Sequence, residues 1–235
     1  MRMPDLLCSC PVCGAPAFRS RVVCRECASQ LDSECFDSFM DRCPVCFYPR
    51  VASLYRCTRC RGNEGSAPRI FPVARYDGKI SYAVIDGLKF RGQRKLAPVV
   101  ALYLRRALDV LDPEGKALIV PVPCSATRME RFGFDHMTDV CKALGREFLQ
   151  LIVNRSAAAG PSAQQKMLDR EHRIESSAGK FAINRNIEDL DTLKSRPVVV
   201  VDDIVTTMST MKAAIALLKG EGFEDVSGAS WLAEL

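Results

Sequence analysis

Histidine, tryptophan and long apolar runs are what this sequence has least of. Among its 235 residues there are two histidines and one tryptophan. His136 and His172 have no neighbours at metal-site spacing, so we expect a surface or helical role for both rather than a catalytic one. No apolar stretch approaches the roughly 20 residues that a membrane-spanning helix needs, which excludes such a span. Because the first residues lack the apolar core of a secretion signal, we expect a cytoplasmic protein.

Net charge and aromatic content exclude fewer kinds of binding partner than the absences above. A net charge of +5 suits an anionic ligand without requiring one. Aromatic residues make up only 7% of the chain, so no stacking platform for nucleic acid is evident. Any one basic cluster fits a solvated surface, whereas several clusters around one site would indicate phosphate. The clusters are Lys89, Arg91, Arg94 and Lys95; Arg128 and Arg131; and Arg170 and Arg173.

Cysteine, in contrast, is abundant, and its spacing repeats. Twelve cysteines are present and ten of them precede residue 61. In a cytoplasmic protein this favours metal ligands over disulfides. Each of four cysteines recurs 33 residues later, in two sets with the pattern Cys-x2-Cys-x10-Cys-x2-Cys. The first set is Cys10, Cys13, Cys24 and Cys27, and the second set is Cys43, Cys46, Cys57 and Cys60.

Each set predicts one structural Zn²⁺ site made of four thiolates. Two residues between cysteines let a tight turn aim both sulfurs at one tetrahedral ion. We therefore expect two zinc ions, with sequential pairing of the cysteines in preference to a crossed arrangement. Cys8 lies close enough to Cys10 to compete as a ligand, and Cys35 is left over. Because four thiolates leave no open coordination position, catalysis at zinc is not expected.

Residues 61–69, punctuated by glycine and proline, have the character of a linker. We therefore predict two domains: a double four-cysteine zinc-binding module at 1–65 and an α/β domain at 66–235. In the second domain short apolar runs alternate with amphipathic stretches, which is typical of a mainly parallel sheet flanked by helices. Ligands of such sheets bind at the carboxyl ends of the strands.

Periodicity predicts the individual elements of the second domain. Residues 148–153 fit either a helix or a strand, and Trp231 is expected in the core of a last strand. Ser209 or Thr210 is the expected cap of the last helix. The predicted strands are 71–76, 117–123, 180–183 and 197–201, and the predicted helices are 79–90, 94–111, 134–150 with a break only at Gly145, and 209–223.

The strongest predicted strand ends in paired negative charge. "PVVVV" (197–201) is followed by Asp202 and Asp203. The hydroxyl side chains of the next loop are Thr206, Thr207, Ser209 and Thr210. Backbone N–H groups at the start of the following helix favour an anion, so the loop has the features of a phosphate cradle. Two carboxylates beside a phosphate need sugar hydroxyls or Mg²⁺ as partners. A ligand with both a phosphate and vicinal hydroxyls satisfies all of these groups.

The stretch "VVVVDDIVTTMST" closely resembles the fingerprint of type I phosphoribosyltransferases: a hydrophobic run, two acidic residues and a T-T-G-x-T loop. The resemblance implies that Asp202 and Asp203 contact the ribose hydroxyls of phosphoribosyl pyrophosphate (PRPP), which binds with Mg²⁺. It implies that one of the two supports an oxocarbenium-like transition state. The 5-phosphate would bind to the loop formed by Thr206, Thr207, Met208, Ser209 and Thr210. Met208 stands where the family has glycine, and methionine restricts the backbone there.

The order of motifs along nearly the whole chain looks like the ComF competence family. The cysteine module is followed by "LKFRG" (88–92), "VPVP" (120–123), a basic stretch ending in Gly-Phe, and the fingerprint. The resemblance implies PRPP contacts from Lys89 and Arg131 and a pyrophosphate loop at Pro123, Cys124 and Ser125. It also implies a basic string that closes over the pyrophosphate, formed by Gln165, Leu168, Arg170 and Arg173.

Three residues depart from the ComF pattern besides Met208. Asp135 and His136 replace the usual Asn and Gln, and Ser176 stands where Asn is common. Cys124 has no histidine signal nearby, so we interpret it as a small residue where the backbone approaches phosphate rather than as a nucleophile.

The ComF resemblance implies a role in DNA uptake during natural transformation. Single-stranded DNA and DNA-processing proteins are then expected partners beside PRPP, and zinc ribbons and basic surfaces can both bind nucleic acid. Two alternatives stay open. One is an active phosphoribosyltransferase on an unidentified base, in which the zinc module occupies the place of a base-recognition hood. The other is a regulatory or scaffold protein that keeps the fold without turnover, for which Met208 is the best argument.

Overall fold

The computed structural model describes residues 7–18, 21–38, 40–50, 57, 60, 67–155 and 179–234 of the chain. Within them the strands are β1 Leu7–Ser9, β2 Pro16–Phe18, β3 Asp41–Arg42, β4 Pro49–Arg50, β5 Ile70–Arg75, β6 Leu118–Pro121, β7 Ile152–Asn154, β8 Phe181–Ile183, β9 Val198–Val205 and β10 Val226–Ala233. The helices are α1 Arg25–Ser33, α2 Lys79–Phe90, α3 Ala97–Leu111, α4 Ala126–Phe132, α5 His136–Leu144, α6 Leu190–Leu193 and α7 Ser209–Gly220.

A four-stranded parallel sheet forms the centre of the fold, in the order β5-β10-β9-β6. Its register pairs Ser230 of β10 with Asp202 of β9, and Val201 of β9 with Pro121 of β6. The carboxyl ends of these strands therefore meet at one edge of the sheet, where ligands of parallel sheets bind. The predicted α/β class with a mainly parallel sheet is confirmed.

Helices cover both faces of the sheet, so its strands are apolar on both sides. On one face α2, α3 and α5 pack over alternate strand residues such as Val199 and Val201. Trp231, which is fully buried, lies on this face with its ring 6.4 Å from that of Tyr103. On the other face α7 packs over Val198 and the strands β7 and β8 complete the layer. The predicted core role of Trp231 in a last strand is confirmed.

Two predicted elements have different bounds in the structure. The helix expected at 134–150 is only α5, because Gly145 takes a left-handed φ of +68° and ends it. Phe148 then bridges to Ile119 of β6, so the chain at this point already runs beside the sheet. The strand expected at 197–201 is longer than predicted and includes both aspartates.

The cysteine-rich segment packs directly on the free edge of β5. Cys35 bridges to Ala74, and the backbone carbonyl of Glu34 accepts a hydrogen bond from Arg75 at 3.1 Å. The buried carboxylate of Glu34 accepts hydrogen bonds from the backbone N–H groups of Ile80 at 2.9 Å and Ser81 at 2.8 Å. It thus caps α2, whose other end reaches the aspartates of β9. The predicted boundary at residues 65 and 66 stays a prediction, since most of the linker lies outside the described residues.

Across the described part of the chain no helix is both long and apolar enough to cross a membrane.

Candidate functional site

The paired aspartates lie on opposite faces of β9. Successive side chains of a strand point to opposite faces, and both residues belong to the strand. Val201 packs on the face that α2, α3 and α5 cover. Two residues further on, Asp203 is directed to the same face, and Asp202 is directed to the other. Asp203 and Asp202 are both buried, at 2% and 8% relative exposure, so each carboxyl group needs a partner inside the protein.

Asp203 finds its partners on α2 and α5. The ammonium of Lys89, in the last turn of α2, lies 3.0 Å from one carboxylate oxygen and 2.8 Å from the other. Nε2 of His136, the first residue of α5, lies 2.7 Å from Oδ2. Burial opposes ionisation, but the hydrogen bond with His136 and the charge of Lys89 outweigh it and hold the pKa of Asp203 well below its usual range. Asp203 is therefore an ionised centre held between two helices.

The pKa of Asp202 is shifted in the opposite direction. Burial, followed by the negative charge of Asp203, raises the pKa of Asp202 well above its usual range. Its Oδ1 accepts a hydrogen bond from the backbone N–H of Asp203 at 2.9 Å. The shift favours the protonated form of Asp202 beside the carboxylate of Asp203, and a protonated carboxyl group can both donate and accept a hydrogen bond.

The hydroxyl loop joins β9 to α7 and turns through a left-handed residue. Met208 has a φ of +62°, the region that glycine occupies at least cost, and it is the N-cap residue of α7. Its side chain is buried with the core cluster of the α7 face, so it is turned away from the loop surface. Thr207 Oγ1 lies 2.9 Å from Ser209 Oγ. The expected cap by Ser209 or Thr210 is wrong, since neither side chain caps the helix and the turn itself is made by Met208.

Two cationic residues expected at the site have different surroundings. Lys89 is at Asp203, as described above. Arg131 is exposed, and its guanidinium carbon lies 5.0 Å from the ring centroid of Phe132. Arg128, which the sequence analysis did not place among the site residues, is the arginine whose charge interacts with Asp203. Burial lowers its pKa, and its Nε and Nη2 are buried without a hydrogen-bond partner among the described residues.

The loop expected to bind pyrophosphate lies beside the aspartates. The N–H of Val122 donates to the carbonyl of Val201 at 2.9 Å, which continues the pairing of β6 with β9. Ser125 then caps α4, and the carbonyl of Cys124 accepts a hydrogen bond from Asn154 at 2.5 Å. Burial raises the pKa of the Cys124 thiol, which agrees with a small packing residue rather than a nucleophile.

A cavity of about 380 Å³ opens next to this loop. It lies between the end of β6, α4 and the start of β7, and its walls are mostly apolar with a few polar groups at the rim. Such a cavity suits a small organic ligand rather than a protein. Its lining includes Pro123, Cys124, Met129, Glu130, Asp135 and Asn154.

The cysteines form two separate four-thiol clusters, in the predicted sequential pairing. The sulfur atoms within each set lie within 4.8 Å of one another, which fits one tetrahedral Zn²⁺ per set. The first cluster is Cys10, Cys13, Cys24 and Cys27, and the second is Cys43, Cys46, Cys57 and Cys60. Cys8 belongs to neither cluster. The repeat extends to the backbone, because Gly14 and Phe47, which are 33 residues apart, both take a positive φ after the first knuckle of their set.

Backbone hydrogen bonds favour the thiolate form at the first cysteine of each cluster. Burial opposes ionisation at Cys10 and Cys43, but hydrogen bonds from nearby backbone N–H groups lower the pKa of each thiol to about 6. Thiolates are the form that binds zinc. Burial raises the pKa of Cys27, Cys46 and Cys60, so the turns favour the thiolate at the first cysteine of each cluster and not throughout it.

His136 is the site residue that sequence reasoning missed. It was expected to have a surface or helical role, and it does begin α5, but it is buried at 4% exposure against Asp203. The signal available was its position in the "GFDH" stretch, where it replaces an amide residue of the family pattern. His172, Ser176 and the basic string of Gln165, Leu168, Arg170 and Arg173 lie outside the described residues.

Taken together, these features define an α/β protein with paired aspartates at the carboxyl edge of a parallel sheet and two four-cysteine clusters at its amino end. No protein-family model matches the chain. Similar curated proteins include the DNA utilization protein YhgH of Escherichia coli K12, 28% identical over 77% of this chain and 78% of that protein. Competence protein ComFC of Streptococcus pneumoniae is 25% identical over 95% and 97% of the two chains. Competence protein F of Haemophilus influenzae is 25% identical over 87% of each. Over most of its length the chain is therefore similar to proteins named for DNA utilization and competence.

Proposed function

We propose that the protein binds PRPP together with Mg²⁺ on a phosphoribosyltransferase fold, and that it acts in the cytoplasm in DNA uptake. One observation carries the proposal. Two buried aspartates whose pKa values are shifted in opposite directions adjoin each other on the central strand, and a hydroxyl loop at the amino end of α7 follows them directly. A ribose with free hydroxyls and a 5-phosphate has the groups that this arrangement complements.

The two aspartates have different tasks in this proposal. The protonated Asp202 can donate and accept hydrogen bonds, so it suits the ribose hydroxyls. Asp203 stays negative because Lys89 and His136 hold it ionised. A fixed negative charge near the ribose stabilises the positive charge that develops on the ring when the bond to pyrophosphate breaks.

The loop of residues 206–210 is the proposed phosphate site. The hydroxyls of Thr206, Thr207 and Ser209 are on exposed residues, and backbone N–H groups at the start of α7 add donors and a favourable dipole. Met208 supports this role, since its backbone adopts the glycine-like conformation and its side chain is buried on the core side.

Mg²⁺ keeps several oxygen ligands from water and phosphate and takes few from protein. Among the described residues Asp202 is the carboxyl group of this site without an ion pair, so it is the residue that would contact the ion. It would have to lose its proton on binding, because metal ions bind the carboxylate form. When bound, the ion would neutralise part of the negative charge on the diphosphate of PRPP.

The DNA part of the proposal comes from the relatives, whose names describe DNA utilization and competence. We extend it to single-stranded DNA and DNA-processing proteins as partners. A cytoplasmic location agrees with PRPP as a ligand.

Calorimetry with PRPP and Mg²⁺ tests the central part of the proposal. The wild-type protein is expected to give a saturable heat with one PRPP per chain. Thr207→Val should weaken binding about tenfold, because a hydroxyl donor to a charged phosphate is lost. The control Thr192→Val, at an exposed threonine of α6, should bind like the wild type. Absence of heat with the wild type, or equal binding by both variants, would contradict the proposal.

An active phosphoribosyltransferase is the second candidate, and the cavity beside the Pro123–Ser125 loop is the observation that favours it. A cavity of about 380 Å³ at this edge has room for a small flat acceptor. Release of pyrophosphate from PRPP in the presence of one nucleobase would establish the transferase. PRPP binding without release for any base would favour a regulatory protein that keeps the fold.

A further inference from the structure

Two phenylalanines and three arginines form a partly exposed patch beside the proposed PRPP site. We call Phe132, Phe134, Arg94, Arg128 and Arg131 the aromatic–basic patch. The two rings meet edge to face with centroids 6.4 Å apart. Guanidinium carbons lie 5.1 Å from the Phe134 centroid for Arg94, and 5.2 Å and 5.0 Å from the Phe132 centroid for Arg128 and Arg131. Each ring thus has at least one guanidinium against it, as in cation–π contacts.

The patch is built from two segments that are distant in sequence. Phe132 is the last residue of α4 and Phe134 follows it, whereas Arg94 comes from the short turn after α2. Gly92, with a φ of +66°, brings that turn against the rings, and a Cβ there would lie 3.7 Å from each ring. The low aromatic content of the chain gave no sign of a stacking surface, because the clustering arises only when these segments meet.

The charge of the patch is only partly balanced by carboxylates. Arg94 forms a bidentate pair with Asp139, at 2.6 and 2.8 Å. Arg128 and Arg131 have no carboxylate within ion-pair distance among the described residues, although Glu130 is exposed between them in sequence. The exposed charge of Arg131 therefore remains available to an anion at this surface, and the half-buried Arg128 adds positive charge behind it.

We propose that the aromatic–basic patch binds single-stranded DNA, with bases stacking on the phenylalanine rings and phosphates pairing with the arginines. Non-specific single-strand sites combine these two groups, because every base has a flat face and every nucleotide has a phosphate. The inference rests on the DNA role proposed above and assigns it to this patch rather than to the cysteine-rich segment. Since the charge of Arg128 also acts on Asp203, bound DNA would lie at the mouth of the PRPP site.

Fluorescence anisotropy with a labelled oligothymidylate of about 20 nucleotides tests the inference, measured from about 50 to 200 mM salt. Arg131→Gln should weaken binding several-fold and reduce the slope of log affinity against log salt by about 0.7, the value for one phosphate contact. Phe132→Leu with Phe134→Leu should weaken binding about tenfold with little change in that slope. Arg131 is exposed, so its variant removes charge without disturbing the core.

Two matched controls lie elsewhere on the protein. Lys219→Gln removes an exposed positive charge from α7, and Tyr82→Leu removes an aromatic ring that is 50% exposed on α2. Both should bind DNA like the wild type. A third variant, Arg21→Gln with Arg25→Gln, removes exposed charge from the cysteine-rich segment and should also retain binding.

The outcomes separate this inference from the proposed function. If the wild type binds DNA and the patch variants bind equally well, the inference is wrong while the DNA role survives. If the cysteine-segment variant alone loses binding, the inference is wrong and the DNA site lies there. If the wild type binds no single-stranded DNA at these salt concentrations, both the inference and the DNA part of the proposed function are overturned, and PRPP binding is judged by its own calorimetry.

Discussion

Replacing the two adjacent aspartates one at a time should change stability in opposite directions. Asp203→Asn removes the carboxylate that holds Lys89 and His136, and leaves their buried polar atoms poorly satisfied. Asp202→Asn replaces a carboxyl group that burial and the charge of Asp203 already keep protonated. The neutral amide keeps the oxygen that accepts from the Asp203 N–H and removes the penalty of a raised pKa. We therefore expect Asp203→Asn to destabilise the protein and Asp202→Asn to stabilise it.

The size of the Asp203 effect follows from the burial of its partners. Breaking a buried ion pair from one side costs about 3–5 kcal/mol. The side chains of Asp203 and His136 are 3% and 5% exposed, but that of Lys89 is 26% exposed and reaches water. The lower end, about 3 kcal/mol, is therefore expected. For a chain of this size about 1 kcal/mol lowers the Tm by about 2 °C, so the Tm should fall by about 6 °C.

The two aspartates should also change the stability of the folded protein in opposite directions as the pH rises. The pKa of Asp203 is lower in the folded state, so its stabilisation is complete above the unfolded value of about 3.9 and is lost as the pH falls through the folded value. The pKa of Asp202 is higher in the folded state, so wild-type stability decreases as the pH rises above about 3.9. The advantage of Asp202→Asn should therefore grow as the pH rises above about 4.

Thermal unfolding followed by circular dichroism, without PRPP, measures both effects. Asp109→Asn is the control, because Asp109 is exposed and has no ion pair within the described part of the chain. Its Tm should equal that of the wild type. A Tm for Asp203→Asn within about 1 °C of the wild type, or shifts of the same sign for both aspartates, would refute the assignment of their protonation states.

Three further predictions concern the loop, the metal clusters and the contact between segments. In urea unfolding, Met208→Gly should be more stable than Met208→Ala by about 1 kcal/mol, because only glycine adopts a left-handed φ without strain. Both variants should be less stable than the wild type, because each loses the buried methionine side chain. Equal stability of the two variants would contradict the strain. Metal analysis should find two Zn²⁺ per chain in the wild type and in Cys8→Ala, but only one in Cys57→Ala. Loss of a zinc ion in Cys8→Ala would contradict the assignment of the ligands to the two sequential clusters. Glu34→Ala should lower the free energy of unfolding in urea by about 2 kcal/mol, because the backbone N–H donors at the start of α2 lose their partner. The control Glu26→Ala, at an exposed residue, should leave it unchanged. Similar values for both variants would show that the cap contributes little.

Features set by local spacing were predictable from the sequence. The cysteine pattern predicted both clusters and their pairing, because each knuckle is only four residues long. The alternation of apolar runs predicted the parallel sheet, and periodicity predicted the helix at 94–111 that contains α3. These features depend on chain periodicity, which a single sequence displays directly.

Features made by distant segments were not predictable in the same way. His136 and Lys89 meet Asp203 across 67 and 114 residues of sequence. No periodicity links such positions, so the sequence indicated Lys89 only through a family resemblance and assigned no partner to His136. The extension of β9 through the aspartates was missed for a related reason, because charged residues inside a strand are expected only when partners such as these neutralise them.

The most direct test of the central claim is a crystal structure of the protein grown with PRPP and Mg²⁺. We predict the 5-phosphate within hydrogen-bond distance of the backbone N–H groups of residues 206–210, with the ribose hydroxyls at Asp202. Density for PRPP elsewhere on the surface, or a phosphate that does not contact this loop, would contradict the claim.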